Sequence, residues 1–558
     1  MRLPSKIQSL GILGLFLFIS LGMTYPLISK LGSCVIHDLG DPLLIAWTLA
    51  WDIHQLCRDP FHLFEANFFY PSRHVLAYSE HLLGDALLAF PLLLFPRFTV
   101  LAGNILYLLT FILSGWGVYL LLKELSGKTS PAIIAGLLFT FSPYRLSRLS
   151  HLHILSTQWM PFIFLFLHRF ARKPTWKNGL LASLFYVLQG LSCNYYAVFL
   201  YPIIFLWAFF FLLSQRAFWT WRILTISAVS TGLALMLFIP FFLPYLDLRQ
   251  TLGFTRSVSE ARVFSAHWAS YLSASQFNRI YGKLTTQFAV GPFPGERWLF
   301  PGLVGVMLSV VAILKHSSKT RRLLWGYGAI LGFSFLMTFG PRWSFFGREI
   351  DSPYRFFFNY FPGWSGIRVP ARMHMISTLS LSIIAGLGAA SLGRIFKPVA
   401  QKVFFSSVGA LILLESFSVP LPLASVPPPA PVYHWLAAQP GKPVVLELPM
   451  PVVAGERWKE TAYLYYSIFH WKPLVNGYSG YYPPYYGSLC ETMQGFPDAS
   501  SLNELRQFGV KYVIWHSGEY EGSRKQAVIE QLANKPSLSL AARFGDDWVF
   551  SFSDSKKP

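Results

Sequence analysis

The stretch Cys34-Val-Ile-His37-Asp38-Leu-Gly-Asp41-Pro42 sets two carboxylates three residues apart, directly after the first apolar run of a chain with few charges. Acids beside hydrocarbon are costly, so such a pair at the mouth of a helical bundle marks a place for chemistry, above all for a general base. Asp41 before Pro42 also fits the cap and first position of a helix, Pro42 to Leu56, expected to lie amphipathically on the membrane. For Asp38 the structural alternative is a solvated loop acid. Glu80-His81 closes the same loop. With the aspartates it could hold a divalent cation, Mg or Mn, although such a dipeptide is more often a capping or surface feature.

Two later loops are rich in cations. Pro143-Tyr-Arg145-Leu-Ser-Arg148-Leu-Ser-His151-Leu-His153 places two arginines and two histidines close together. Guanidinium forks match phosphate oxygens, and His151 and His153 can donate or ligate a metal according to protonation. Gly366-Ile-Arg368-Val-Pro-Ala-Arg372-Met-His374 spaces its arginines four apart at the start of an apolar run, which suits a phosphate clamp. Anchoring in the headgroup layer is the alternative for both loops.

These side chains need a scaffold, and the composition names its class. With 53% hydrophobic and 13% charged residues, the chain reads as a multi-pass helical membrane protein. Lipid-exposed backbone must satisfy its own hydrogen bonds, which selects helices. Predicted spans are Ile7 to Ile28, Phe98 to Leu122, Pro131 to Phe141, Ile154 to Leu167, Leu180 to Leu191, Tyr195 to Leu213, Ile223 to Phe242, Trp298 to Leu314, Leu324 to Phe339, Met375 to Leu392 and Val403 to Val419. That makes about eleven, each crossing a core of roughly 30 Å. The first follows Arg2 and Lys6 and is expected to remain as an anchor. Leu82 to Phe95, broken by Gly84-Asp85 and Pro91, is expected to be re-entrant or juxtamembrane.

The excess of 46 Lys and Arg over 26 acids, a net charge of +20, would suggest nucleic acid in a soluble protein; here it reports cytoplasmic loops and anionic lipid. Lys123 and Lys128, Arg169 to Lys177, Arg216 and Arg222, Lys315 to Arg322, and Arg394 to Lys402 fall on one side. The positive-inside rule makes that side cytoplasmic, with the amino terminus. The loop of Asp38 and the carboxyl-terminal part are then outside. Residues 1-425 are expected to form the transmembrane domain, with a long first outer loop at 30-97. The remainder, 426-558, opens with Pro427-Pro428-Pro429 and is expected to be a small extracytoplasmic α/β domain. Its predicted strands are Val444 to Leu448, Lys511 to Trp515 and Trp548 to Phe552, and its predicted helices Leu502 to Phe508 and Lys525 to Ala533.

Cys34 and Cys57 share the first outer loop and could pair; no Cys-x-x-Cys spacing points to zinc. In the tail, Tyr463, Tyr465, Tyr466, His470 and Trp471 precede a cluster of Tyr478, Tyr481, Tyr482, Tyr485 and Tyr486. Such rings suit sugar faces as an acceptor-binding surface, and equally a membrane interface.

An acidic motif after the first apolar helix, a long first outer loop, basic outer loops and a final extracytoplasmic domain resemble the GT-C superfamily of integral-membrane glycosyltransferases. Gly40-Asp41-Pro42 with Trp47 and Trp51, Asn67-Phe-Phe-Tyr70-Pro71, Ser79-Glu80-His81-Leu-Leu-Gly84, Arg368-Val-Pro-Ala-Arg372 and Asn476-Gly477-Tyr478 resemble a bacterial branch of it. The resemblance implies transfer of a sugar from a polyprenyl-phosphate carrier, with inversion, to a glycan, lipid or protein acceptor on the outer face of the inner (plasma) membrane. It makes a first-loop acid the base. Asp38-Leu-Gly-Asp41 departs from the commoner adjacent acids, so either aspartate can inherit that role. Arg368 and Arg372, with Arg145 and Arg148, would hold the departing phosphate. A transporter or flippase for lipid-linked sugars is the second reading, and a non-enzymatic envelope-assembly scaffold the third. Ion-driven transporters place acids inside their helices, whereas these spans hold almost none, Glu415 being the exception.

Overall fold

The computed structural model describes residues 5–213, 220–345, 348–533, 535 and 537–552. Arg2 and Arg216, both used above for orientation, lie outside the described residues. The chain divides into two compact units. One comprises Met1–Lys30 and Asn104–Leu421, the other Leu31–Gly103 and Pro422–Pro558. The first loop thus belongs to the same unit as the tail.

The first unit is helical. Among the described residues, five helical stretches are long and apolar enough to cross a membrane: Pro96–Ser126, Asn194–Leu212, Trp221–Thr251, Pro370–Leu392 and Pro398–Glu415. Helices also occupy the other segments read as spans: Ser5–Met23, Thr129–Thr140, Met160–Arg172, Trp176–Ser192, Leu303–Leu314 and Ser318–Thr338. His374–Leu392 is the most enclosed, buried along nearly all its length and packed on Thr129–Thr140, Leu303–Leu314 and Ser318–Thr338. Small residues permit this. A β-carbon on Gly388 would stand 1.9 Å from the Leu308 carbonyl oxygen, and one on Gly386 would stand 2.2 Å from the Leu122 side chain. Close backbone approach of this kind supplies contact between apolar helices where water gives no driving force.

Glu415 ends the helix Pro398–Glu415, and its carboxylate accepts the backbone N–H groups of Leu303 and, at 3.2 Å, Val304. Those amides open the helix Leu303–Leu314 and have no partner inside it. The acid singled out for a transporter is therefore a helix cap, favoured there by the helix dipole.

In the second unit a four-stranded sheet has the order Val444–Leu448, Val510–His516, Asp547–Phe552, Leu538–Phe544, with the first pair parallel and the others antiparallel. The edge strand Leu538–Phe544 is absent from the sequence reading because it is mostly exposed and lacks apolar alternation. Cys34–Ile36 pairs antiparallel with Leu423–Ser425, which stitches the first loop to the tail.

The helix Asp41–Arg58 corrects the expectation of a surface helix: Leu43, Ile45, Trp47, Leu49, Trp51 and Ile53 are all buried within the unit. Trp47 and Trp51 stack at 5.8 Å, and Trp47 Nε1 donates to Ser467 Oγ at 3.2 Å. Leu83–Leu93 is three short helical pieces in succession, Leu83–Ala86, Leu87–Ala89 and Phe90–Leu93. No disulfide joins any of the four cysteines, so the Cys34–Cys57 pairing is not formed.

Candidate active site

Asp38 and Asp41 serve different ends. One Asp38 oxygen accepts the Gly40 N–H at 2.8 Å, closing an Asx turn, and the other is bonded to His37 Nδ1. His37 itself sits at φ 79, a costly conformation for a side-chain-bearing residue. Burial pushes the Asp38 carboxyl up, but the His37 and Gly40 bonds and the nearby imidazole outweigh it and hold it below its ordinary value.

Asp41 is the first residue of its helix, with Gly40 in the cap position and no side-chain capping bond. The helix-cap expectation for Asp41 is corrected accordingly. Its Oδ1 instead accepts the hydroxyl of Tyr478 at 3.3 Å. The Tyr478 hydroxyl is set there by its neighbours. Asn476 completes a ladder with Glu447, accepting its N–H at 2.7 Å and donating to its carbonyl at 2.8 Å. The same amide donates to Glu460 Oε1 at 3.0 Å, and Tyr486 donates to both Glu460 oxygens at 2.8 and 2.7 Å. Burial pushes the Glu460 carboxyl up to about 8 despite those bonds.

Gly477 is required by crowding, since a β-carbon there would stand 2.5 Å from the Phe69 ring. Phe69 and Tyr70 donate their N–H groups to the carbonyls of Asn476 and Leu474 at 3.1 and 3.0 Å, so the Asn67–Pro71 and Asn476–Tyr478 motifs lie against each other. Thr461, next to Glu460, donates to the Leu39 carbonyl at 2.7 Å, between the two aspartates. The loop is thereby held from both sides of Asp41.

Four arginines of the first unit, Arg148, Arg372, Arg256 and Arg368, form two triplets, each around one glutamate. Arg372 Nη2 meets Glu296 Oε1 at 2.6 Å, and Arg148 Nη1 is paired to Glu296 Oε2. Arg148 also donates to the Gly295 carbonyl and stacks over Tyr144 at 5.2 Å, while Arg372 stacks over Tyr195 at 5.0 Å. Burial pushes the Glu296 carboxyl up, but the Arg372 and Arg148 charges dominate and hold it far below the ordinary range. In the second triplet, Arg368 and Arg256 approach Glu260 Oε1 at 3.0 and 3.1 Å, and Arg368 lies over Phe264 at 4.5 Å. Each carboxylate is shared by two guanidiniums.

Arg368 and Arg372 therefore do not share one carboxylate; they belong to separate triplets. Arg145 does not join either. It is fully buried between Phe111 and Phe139, at 5.4 and 5.0 Å, and donates to the Thr140 carbonyl at 3.2 Å and to Thr157. Burial pushes it down to about 10. Glu296 and Glu260 were missed in the sequence. Their one signal was position in a stretch between apolar runs of an acid-poor chain.

Among the described residues no group of three or more His, Cys, Asp or Glu side chains converges as metal ligands would. His81 is fully buried with its ring edge-on to Phe64 at 5.8 Å, and burial pushes its imidazole down to about 4. The His151 and His153 rings lie 5.7 Å apart in the other unit. Among the described residues the expected ligands are thus not gathered into a cluster of three that would hold Mg or Mn by protein side chains alone. Of the expected acceptor residues, Tyr482 packs among Phe69, Tyr486 and Arg457, and Tyr481 donates its N–H to the Tyr78 carbonyl at 3.1 Å.

No protein-family model matches the sequence, and no curated protein does. Among solved structures, the arabinofuranosyltransferase AftD from Mycobacteria matches 100% of this chain at a TM-score of 0.64 and 15% identity. The chain spans 40% of AftD's length. The oligosaccharyltransferase AglB from Archaeoglobus fulgidus gives 0.48 and 12%, over 100% of this chain and 75% of AglB. ArnT from Cupriavidus metallidurans gives 0.45 and 10%, over 98% of each chain. The likeness to AftD is one of fold: this chain shares the fold seen in part of that protein.

Proposed function

We propose that the protein is a glycosyltransferase of the inner (plasma) membrane. It transfers a sugar from a polyprenyl-phosphate carrier to an envelope glycan, lipid or protein on the outer face, with the amino terminus cytoplasmic. The observation that carries this reading is Asp41, held by Tyr478 in a chain that shares the fold seen in part of AftD. Asp41 takes the proton of the acceptor hydroxyl as its oxygen attacks the anomeric carbon. The bond from that carbon to the phosphate oxygen breaks, its electron pair leaves with the phosphate, and the configuration inverts. A lipid phosphate is a fair leaving group once its charge is held, so one base suffices. Asp38 shapes the loop, its oxygens already engaged by Gly40 and His37. Arg372 with Arg148, and Arg368 with Arg256, offer two cations per carboxylate for the departing charge. Tyr478, Tyr481 and Tyr482 lie on the acceptor side.

The test is reconstitution of the purified chain in proteoliposomes with radiolabelled polyprenyl-phosphate pentoses and hexoses and a membrane-extract acceptor. Labelled acceptor with inverted anomeric configuration is expected from at least one donor. Movement of intact donor across the bilayer without transfer would overturn the reading in favour of a flippase.

A further inference from the structure

A cavity of about 690 Å³ opens in the first unit between the helices Ser5–Met23, Thr99–Ser126 and Met160–Arg172. Its wall is ordered along the helix axes. Leu13, Trp116 and Leu120 supply an apolar lane, and Lys123, Glu124 and Arg169 follow toward the helix ends. From Trp116 to Lys123 the helix rises about 10 Å. That is the order of an acyl chain and then a headgroup.

Charge distinguishes the site from an ordinary lipid-facing groove. The Glu124 carboxylate is shared by Arg169, at 2.9 Å, and Arg172, at 3.0 Å. Lys123 donates to Gln8 Oε1 at 3.0 Å and to the Tyr119 hydroxyl at 2.8 Å, both neutral, and forms no ion pair among the described residues. Two cations, Lys123 and Arg169, thus line this largely apolar cavity with one anion, Glu124, which Arg172 also pairs from outside the lining, and an unmatched charge against apolar surface is poorly solvated.

We propose that this cavity binds one anionic phospholipid, its phosphate on Lys123 and Arg169 and an acyl chain along Leu13, Trp116 and Leu120. In the orientation proposed above, that end of the bundle faces the cytoplasmic leaflet, where anionic lipids attract basic residues. The site is independent of the transfer reaction.

Native mass spectrometry of the full chain, delipidated in neutral detergent, tests it with three probes: phosphatidylglycerol, phosphatidylcholine and glycerol phosphate. One phosphatidylglycerol should be retained, with the other two bound at least about tenfold more weakly, the scale of one charged hydrogen bond. Lys123→Gln should lose that preference and Lys123→Arg should keep it. Leu120→Trp, which fills the lane and leaves the charges alone, should lose retention too. Equal retention of both phospholipids, unchanged preference in Lys123→Gln, or glycerol phosphate binding as tightly as the lipid would each overturn the proposal.

Discussion

The hydroxyl of Tyr478 donates to Oδ1 of Asp41 at 3.3 Å across a sequence separation of 437 residues. A tyrosine of the tail thereby fixes the orientation of a first-loop acid. The relation explains why Asn476-Gly477 precedes that tyrosine, since the Asn476 amide locks the strand edge and Gly477 passes under Phe69.

Tyr478→Phe removes the donor and keeps the ring. Transfer should fall by about tenfold or more in kcat, the worth of one hydrogen bond that positions a reacting group, with little change in melting temperature. Assays of the purified variant over donor concentration will separate kcat from KM; an unchanged kcat would reduce the contact to packing.

Asn476→Ala should act on stability. It strips partners from the Glu447 backbone and from Glu460, all buried, at about 1–3 kcal/mol for each group left unpaired. Thermal unfolding in detergent should show a drop of several degrees. Gly477→Ala should do the same through its clash with Phe69.

Glu460 predicts a pH dependence. Burial pushes its carboxyl up to about 8, so the native state holds the proton more tightly than the unfolded chain does. The stability this contributes is fully present below the ordinary glutamate value and is lost as pH rises through about 8. Melting temperature should therefore decline between about pH 6 and 9 in the native protein and flatten in Glu460→Gln, which keeps the size and much of the hydrogen bonding. Parallel slopes would contradict the assignment.

The arginines separate by role. Arg372→Lys keeps the charge and loses the fork shared with Glu296, so turnover should fall by about 1–3 kcal/mol in transition-state terms. Arg145→Lys should instead lower stability, because Arg145 is sealed between Phe111 and Phe139. Kinetics and melting curves of the two variants give the comparison, and normal kinetics in Arg372→Lys would mark its triplet as structural.

Much of the helical layout was legible because apolar runs of a given length admit few structures without water. The setting of Asp41–Arg58 was not. Trp47 and Trp51 recur at helical spacing, and that pattern suits a membrane surface and a protein core equally. The aspartates and the Asn476-Gly477-Tyr478 motif were both visible as residues, but their contact depends on tertiary pairing that no local pattern encodes. Glu296 was harder still. A single loop carboxylate gives no sign of the Arg148 and Arg372 that converge on it from distant parts of the chain.

The most direct test is single-turnover sugar transfer by Asp41→Asn and Asp38→Asn, each checked for a native melting temperature. Asn preserves the size of the side chain but cannot take a proton. Asp41→Asn should lose at least about a hundredfold in rate, on the scale of a lost general base, while remaining folded, and Asp38→Asn should lose less. Full turnover in folded Asp41→Asn would contradict the assignment of Asp41 as the base.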